Sequence, residues 1–230
     1  MKVNRSNPPA AAVTDPPVAE KPTRRTPRGE LRRESLLKAA SAVFLESGYG
    51  GASIEEVVRR VGGSKASLYS YFGNKEGLFG DIVAAQCNEF MANLELPTAP
   101  DRAIEQTLTR VAHCFLNMFL DSERRELFRI IVAEAQRFPS LAQRFYENGP
   151  LRARRLLGDY LRIQHDAGFL NCPDPEFAAS IFIEMVKATP HHRSLLGLPP
   201  FHAGHDIDSH TRTVLQLFLH GCACPTPAHQ

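Results

Sequence analysis

Apolar side chains recur every three or four residues along most of the chain, from about residue 30 to residue 220. This spacing is typical of helices with one buried face, and the sequence contains neither strand-like alternation nor an internal repeat. We therefore predict an all-α protein, in which an N-terminal three-helix bundle precedes a larger helical body. The predicted helices cover residues 30–47, 54–61, 65–72, 75–96, 101–120, 123–138, 140–147, 151–167, 174–188 and a last one from 205 or 207 to 220.

Three local signals set the expected ends of helices in the body. Ser122 is expected to cap the helix that follows it. Gly149 and Pro150 are expected to separate two helices, and the Thr189-Pro190 pair is expected to close the helix that starts near residue 174.

A helix-turn-helix pattern follows the first helix. Ser53 is a good N-cap, and Glu56 three residues later completes a predicted capping box. Gly62 and Gly63 end that helix, because at least one of them can adopt the positive φ of a sharp corner. Ser64 then caps a second short helix, which would be the reading helix of a DNA-binding motif.

The side chains of this second helix suit DNA. Residues 65–75 contain hydroxyls and lysines but no Asp or Glu, and phosphate oxygens and base edges favour hydrogen-bond donors. Leu68 and Phe72 share one face and are assigned to the core. A short surface helix can also lack acidic residues by chance. A helix-turn-helix with a purely structural role is therefore an alternative at this point.

Residues 39–79 resemble the N-terminal DNA-binding domain of the TetR-type transcriptional repressors. The matching landmarks are Ala40, Phe44, Gly48-Tyr49, Ser53-Ile54, Ser64, Leu68-Tyr69, Tyr71-Phe72, Lys75, Leu78 and Phe79. Gly63 departs from the pattern, because the family usually has a small apolar residue ahead of the serine. Residues 128–161 are similar to the C-terminal domain of the AefR-like branch of the same family, through the pieces E-A-x-R-F-P-x-L-A and F-Y-x-x-G-P.

The resemblance implies a set of DNA-contacting residues. Lys65 and Ser67 are expected at base edges, whereas Tyr71 and Lys75 are expected to bind phosphates, and Ala66 could lie against a thymine methyl. The complete set is Ser53, Ser64, Lys65, Ala66, Ser67, Tyr69, Tyr71 and Lys75. Ser53 and Ser64 also have a structural role as caps.

The body is expected to form a homodimer and to bind a small, largely apolar effector. A dimer presents two reading helices to two half-sites, and by resemblance the last two helices form its interface. The expected interface residues are Phe177, Ile181, Met185, Leu215, Phe218 and Leu219. Aromatic and methionine side chains favour an adaptable cavity, and the candidate pocket residues are Phe90, Met91, His113, Phe115, Met118, Phe119, Phe128, Phe145, Tyr146, Phe182 and Met185. Ordinary core burial is the alternative for both sets.

Charge and composition support this division of the chain. The net charge is +2, but residues 1–80 hold thirteen Lys or Arg and eight Asp or Glu, whereas the rest hold fourteen and seventeen. Residues 1–27 are expected to be a disordered, Pro-rich tail whose basic end either adds solubility or touches DNA as an arm. We expect a DNA-binding domain over 28–75, a ligand-binding and dimerisation domain over 76–222, and a frayed tail over 223–230.

The remaining features narrow the function. No apolar run is long enough to span a membrane, and the five cysteines form no paired framework, so we expect a cytoplasmic protein. Seven of the nine histidines lie from His191 onward with Cys222 and Cys224, but not at the spacing of a zinc site, so no metal or cofactor is expected. Motifs of catalysis are missing from the sequence, which disfavours an all-α enzyme. A sequence-independent architectural DNA-binding protein is the remaining alternative.

Overall fold

The computed structural model describes residues 27–221, and every regular element within them is helical. The all-α prediction is confirmed. Most of the predicted N-terminal tail and its basic arm, the predicted C-terminal tail at 223–230, and Cys222 and Cys224 lie outside the described residues.

Ten α-helices and one π-helical turn are described. They are α1 (Pro27–Gly51), α2 (Ile54–Val61), α3 (Lys65–Phe72), α4 (Lys75–Ala92), α5 (Ile104–Leu120), α6 (Ser122–Glu134), α7 (Pro139–Tyr146), the π-turn (Glu147–Leu151), α8 (Arg152–Asp166), α9 (Pro175–Leu195) and α10 (Ile207–His220).

Two hydrophobic cores form the interior, and α4 contributes to both. The head core is built on α1 to α3, and α4 adds Leu78 and Phe79 to it from its first half, both with 0% exposure. The body core is built on α5 and α8 to α10, and α4 adds Phe90 and Met91 to it from its last turns. Leu127 of α6 and Leu141 of α7 pack into the head core, so the body also braces the head.

Several predicted helix ends were wrong for identifiable reasons. Asp121 rather than Ser122 caps α6, because its carboxylate accepts from the Arg124 N–H at 2.8 Å. Gly149 and Pro150 do not interrupt the helical backbone, since the π-turn accommodates them between α7 and α8. Gly149 is buried there, and a Cβ at this position would lie 3.2 Å from Cys87 Sγ on α4.

Helix α9 continues seven residues beyond its predicted end at Ala188, to Leu195. Ala188 has non-helical dihedrals (φ 14°, ψ −131°), so α9 bends there and resumes. Pro190 has no N–H to donate to the carbonyl four residues earlier, that of Val186. His210 of α10 supplies the missing donor, because its Nε2 lies 3.0 Å from the Val186 oxygen. This long-range contact replaces the hydrogen bond that the proline removes.

Candidate nucleic-acid interface and internal cavity

Helices α2 and α3 form the predicted helix-turn-helix, and each begins on a serine cap. Ser53 Oγ accepts from the Glu56 N–H at 3.1 Å, and Ser64 Oγ accepts from the Ser67 N–H at 3.1 Å. Gly62 and Gly63 both have positive φ, at 77° and 105°, which turns the chain sharply between the helices.

The eight predicted DNA-contacting residues all keep some solvent exposure. Five are exposed, namely Ser53, Ser64, Lys65, Ala66 and Tyr69, and three are half-buried, namely Ser67, Tyr71 and Lys75. Leu68 and Phe72 are buried at 1% and 7%, as expected for core residues of α3. The outer surface of α3 is therefore available to a large ligand.

Arg32 of α1 holds the corner between the two helices, a role that the sequence did not reveal. Its guanidinium donates to the Val61 carbonyl at 3.1 Å and also to the Gly62 carbonyl. These carbonyls are at the end of α2, where a cation is favoured. A Cβ at Gly63 would collide with the same guanidinium. The glycine that departs from the family pattern thus leaves room for Arg32.

Ion pairs at α2 differ from the predicted capping box. The Glu56 carboxylate accepts from Arg59 at 2.7 Å and from Arg60 at 2.8 Å instead of returning to the Ser53 backbone. Hydrogen bonds from these two arginines lower the pKa of Glu56 to about 2. Lys65, predicted to reach bases, forms an exposed ion pair with Glu55. Exposed ion pairs contribute little free energy, so Lys65 can exchange this carboxylate for another anion.

Lys75 is fixed beside aromatic rings. Its ammonium lies 4.8 Å from the Tyr49 ring centroid and 3.5 Å from the Gly50 carbonyl oxygen. Burial lowers the pKa of Lys75. The cation is therefore held at one place at the start of α4, where an approaching anion would also meet the positive end of the helix dipole.

A chain of contacts connects α7 in the body with α3. Arg144 of α7 donates to Asp81 of α4 at 3.0 Å, and Arg33 of α1 donates to the other carboxylate oxygen of Asp81 at 2.6 Å. The Arg33 guanidinium also lies 5.5 Å from the ring centroid of Phe72, the last residue of α3. Asp81 thus ties together helices from both parts of the protein.

The body contains a cavity of about 400 Å³ between α4, α5, α6, α7, the π-turn, α8 and α9. Eight of the eleven predicted pocket residues line it: Phe90, Met91, Phe115, Met118, Phe119, Phe128, Phe145 and Tyr146. The other three do not. His113 lies 3.3 Å from the Asp208 carboxylate, Phe182 packs edge-on against Phe218 at 4.9 Å, and Met185 packs against the body core.

Polar groups outside the predicted pocket set also line the cavity, including Arg125, Arg154 and His191. Each has a buried nitrogen without a hydrogen-bond partner among the described residues: Nε of both arginines and Nδ1 of His191. An unsatisfied buried polar group costs about 1–3 kcal/mol, so such groups need an explanation. Groups of three or more His, Cys, Asp or Glu that could hold a metal are not found within residues 27–221.

The predicted dimer residues have different environments. Phe177 and Ile181, one turn apart on α9, are 62% and 41% exposed. Leu215 is buried at 3% within its own chain, and Met185, Phe218 and Leu219 are half-buried. An apolar surface on α9 is therefore uncovered in the single chain.

Within residues 27–221, the helices lack the length and apolar character needed to span a membrane.

Comparison with known proteins identifies relatives of both parts. Residues 36–82 match the model for bacterial regulatory proteins of the tetR family, and residues 106–221 match the C-terminal domain of AefR-like transcriptional repressors. The flavonoid-responsive regulator FrrA has 31% identity and a TM-score of 0.70, over 87% of this chain and 100% of that chain.

Two further comparisons agree with these matches. A TetR-family transcriptional regulator from Mesorhizobium loti MAFF303099 has a TM-score of 0.71 and 24% identity, over 84% of this chain and 98% of that chain, which shows the shared fold alone. The HTH-type transcriptional regulator YvkB of Bacillus subtilis (strain 168) is 24% identical over 162 residues, which are 70% of this chain and 82% of YvkB.

The corner between α2 and α3 makes Gly63 a testable position. Replacing Gly63 by Ala should lower the free energy of unfolding by about 1–2 kcal/mol, because a side chain is strained at this positive φ and displaces Arg32. Urea unfolding at fixed protein concentration measures the change. Gly50→Ala is the matched control, since Gly50 has no positive φ and a Cβ there meets open space. Equal stability of the two variants would contradict the role given to this corner.

Proposed function

The chain belongs to the TetR family of bacterial transcriptional regulators, and from this premise we propose that it is a repressor that binds a palindromic operator as a homodimer. A small, largely apolar effector in the cavity would release it from DNA. The observation that carries the proposal is the outer surface of α3, which bears hydrogen-bond donors and no acidic residue of its own. This surface is held at a turn whose two helices are capped and braced. Duplex DNA is the ligand that such a surface suits.

The exposed apolar surface of α9 supports the dimer. Phe177 and Ile181 would be covered by the same helix of a second chain, together with the half-buried Phe218 and Leu219 of α10. Apolar residues at the centre of an interface are what a stable two-fold contact needs. Two copies would then present two reading helices to successive turns of the duplex.

The position of the cavity supports release by an effector. Phe90 and Cys87 of α4 line it, and so does Phe145 of α7, which neighbours Arg144. A molecule in the cavity therefore contacts the two helices that Asp81 joins to α1. If the effector binds better to an arrangement of α4 and α7 that separates the heads differently, its binding weakens operator affinity.

The relative FrrA supports an aromatic effector. FrrA is named a flavonoid-responsive regulator, and flavonoids are aromatic compounds. Six aromatic residues among the predicted pocket set line the cavity of this chain, namely Phe90, Phe115, Phe119, Phe128, Phe145 and Tyr146. Ring–ring contacts favour aromatic over aliphatic ligands of equal size.

The rival reading as a sequence-independent architectural protein predicts different DNA binding. We expect the full chain to bind duplex from its own promoter region at least 100-fold more tightly than a base-scrambled duplex at the same salt, because specific sites typically gain about 10³ or more over unspecific phosphate binding. Fluorescence anisotropy at fixed KCl measures both affinities. Equal affinities would favour the architectural protein instead.

Single substitutions should separate phosphate contacts from base contacts. Lys75→Gln and Tyr71→Phe should weaken binding to all duplexes alike, and Lys75→Gln should lower the salt slope by about 1. Lys65→Ala and Ser67→Ala should change which base is preferred, at about 1–3 kcal/mol per lost base contact. Anisotropy against a panel of single-base operator variants measures the difference.

Lys38→Ala is the control for these variants, because Lys38 is an exposed lysine on α1 outside the proposed contacts. It should leave both affinity and preference close to those of the parent protein. If Lys65→Ala and Lys75→Gln had the same effect on every duplex, the division between base and phosphate contacts would be wrong.

The proposed interface predicts loss of the dimer in one variant. Ile181→Glu should give a monomer and weaken operator binding more than 100-fold, because a buried unpaired carboxylate is unfavourable and one head contacts one half-site. Light scattering after size-exclusion chromatography measures the mass. Val132→Glu is the matched control, since Val132 is 58% exposed on α6 and is not a residue of the proposed interface. A dimeric Ile181→Glu would rule out this interface.

A further inference from the structure

His191 enters the cavity because of the bend in α9. After Ala188 and Pro190 the helix resumes in a new direction, and His191 is only 6% exposed. Its ring centroid lies 5.0 Å from that of Phe119 and 5.6 Å from that of Phe128, and both phenylalanines line the cavity.

The imidazole is a neutral hydrogen-bonding group. Burial lowers the pKa of His191, which favours the neutral ring, in which one nitrogen donates and the other accepts. Nδ1 is buried and has no hydrogen-bond partner among the described residues. An apolar cavity with a free polar atom in its wall is suited to a ligand that carries one matching polar group.

Arg125 lies at the same end of the cavity as His191. Its guanidinium donates to Ser194 Oγ at 2.9 Å, and Ser194 follows His191 by three residues on α9. Arg125 Nε is buried and makes no hydrogen bond within the described residues. Two groups able to donate, one of them cationic, thus face the same region with unused capacity.

The charge of Arg125 is less neutralised than that of the other cations around the cavity. Arg154 has the Glu176 carboxylate at 2.8 Å, and Lys187 has that of Glu184 at 2.7 Å. Within residues 27–221, the carboxylate nearest to Arg125 is that of Glu126, at 3.6 Å. It is already hydrogen-bonded to Arg129 at 2.7 Å. Arg124 has Glu89 at 3.2 Å. Of these four cations, Arg125 therefore has the least neutralised charge to offer an anion in the cavity.

We propose that the cavity binds an aromatic carboxylate, whose rings pack between Phe115, Phe119 and Phe128 and whose carboxylate accepts from Arg125 and His191. The proposal rests on the effector-binding role given above and names the chemical class of the effector. The volume of about 400 Å³ suits a molecule with two rings, and charge-assisted hydrogen bonds fix its acidic end.

Isothermal titration calorimetry of the full chain with three probes tests the ligand class without any variant. The probes are 4-phenylbenzoate, its neutral amide 4-phenylbenzamide, and the aliphatic acid decanoate. We expect the aromatic acid to bind about tenfold or more tightly than either comparison, because the amide lacks the charge and decanoate lacks the rings. Equal affinities, or no binding of the aromatic acid at millimolar concentration, would overturn the proposal.

Variants test the two residues. His191→Phe keeps a ring between Phe119 and Phe128 but removes both nitrogens, and Arg125→Gln removes the charge. Each substitution should lower the affinity for 4-phenylbenzoate about tenfold and the affinity for 4-phenylbenzamide much less. Arg155→Gln is the matched control, because Arg155 is an exposed arginine on α8 that does not line the cavity. This variant should bind all three probes as tightly as the parent protein does. Parent-like affinity of His191→Phe and Arg125→Gln for the acid would contradict the assignment.

Binding of the promoter duplex is measured on the same samples without any probe. It shows whether each variant is still folded, and it tests the repressor function independently of the ligand class. Tight and specific DNA binding with no preference for the aromatic acid would overturn the ligand class and leave the repressor function standing. The preference for the acid without specific DNA binding would support the ligand class and count against the repressor function.

Discussion

The packing of α4 into two cores is the constraint on which the rest of the structure depends. Its first half completes the head core with Leu78 and Phe79, and its last turns complete the body core with Phe90 and Met91. Protein interiors are closely packed, so a packed helix moves as a unit rather than deforming locally. A change in the body that moves α4 therefore moves the start of that helix, where Lys75 lies among the aromatic residues of the head.

Asp81 of α4 strengthens the connection between head and body through ion pairs with α1 and α7. Its carboxylate is shared by Arg33 of α1 and Arg144 of α7, at 2.6 and 3.0 Å. Because all three side chains are partly exposed, the energy of each ion pair is modest. Their contribution is orientation, since a carboxylate between two guanidinium groups fixes α7, α4 and α1 relative to one another. The proposed effector site touches two of these three helices.

Local signals predicted the head well, and long-range contacts account for most of what was missed. Serine caps and the glycine pair act within a few residues, so α2 and α3 have the predicted bounds. His210 contacts the Val186 carbonyl at the bend of α9 from twenty-four residues away, and no local pattern reveals such a contact. His191 was consequently not among the predicted cavity residues. Periodicity identifies the aromatic residues that line the cavity, but it does not separate them from the core residue Phe182.

The most direct test of the account is the energetic coupling between the cavity and the proposed DNA-contacting surface of α3. Anisotropy would give the affinity for the promoter duplex with and without saturating 4-phenylbenzoate, and calorimetry would give the affinity for the acid with and without duplex. We expect the acid to weaken duplex binding at least about fivefold, and the duplex to weaken acid binding by the same factor, because such coupling is reciprocal. An acid that occupies the cavity and leaves the duplex affinity unchanged would contradict the proposed link through α4.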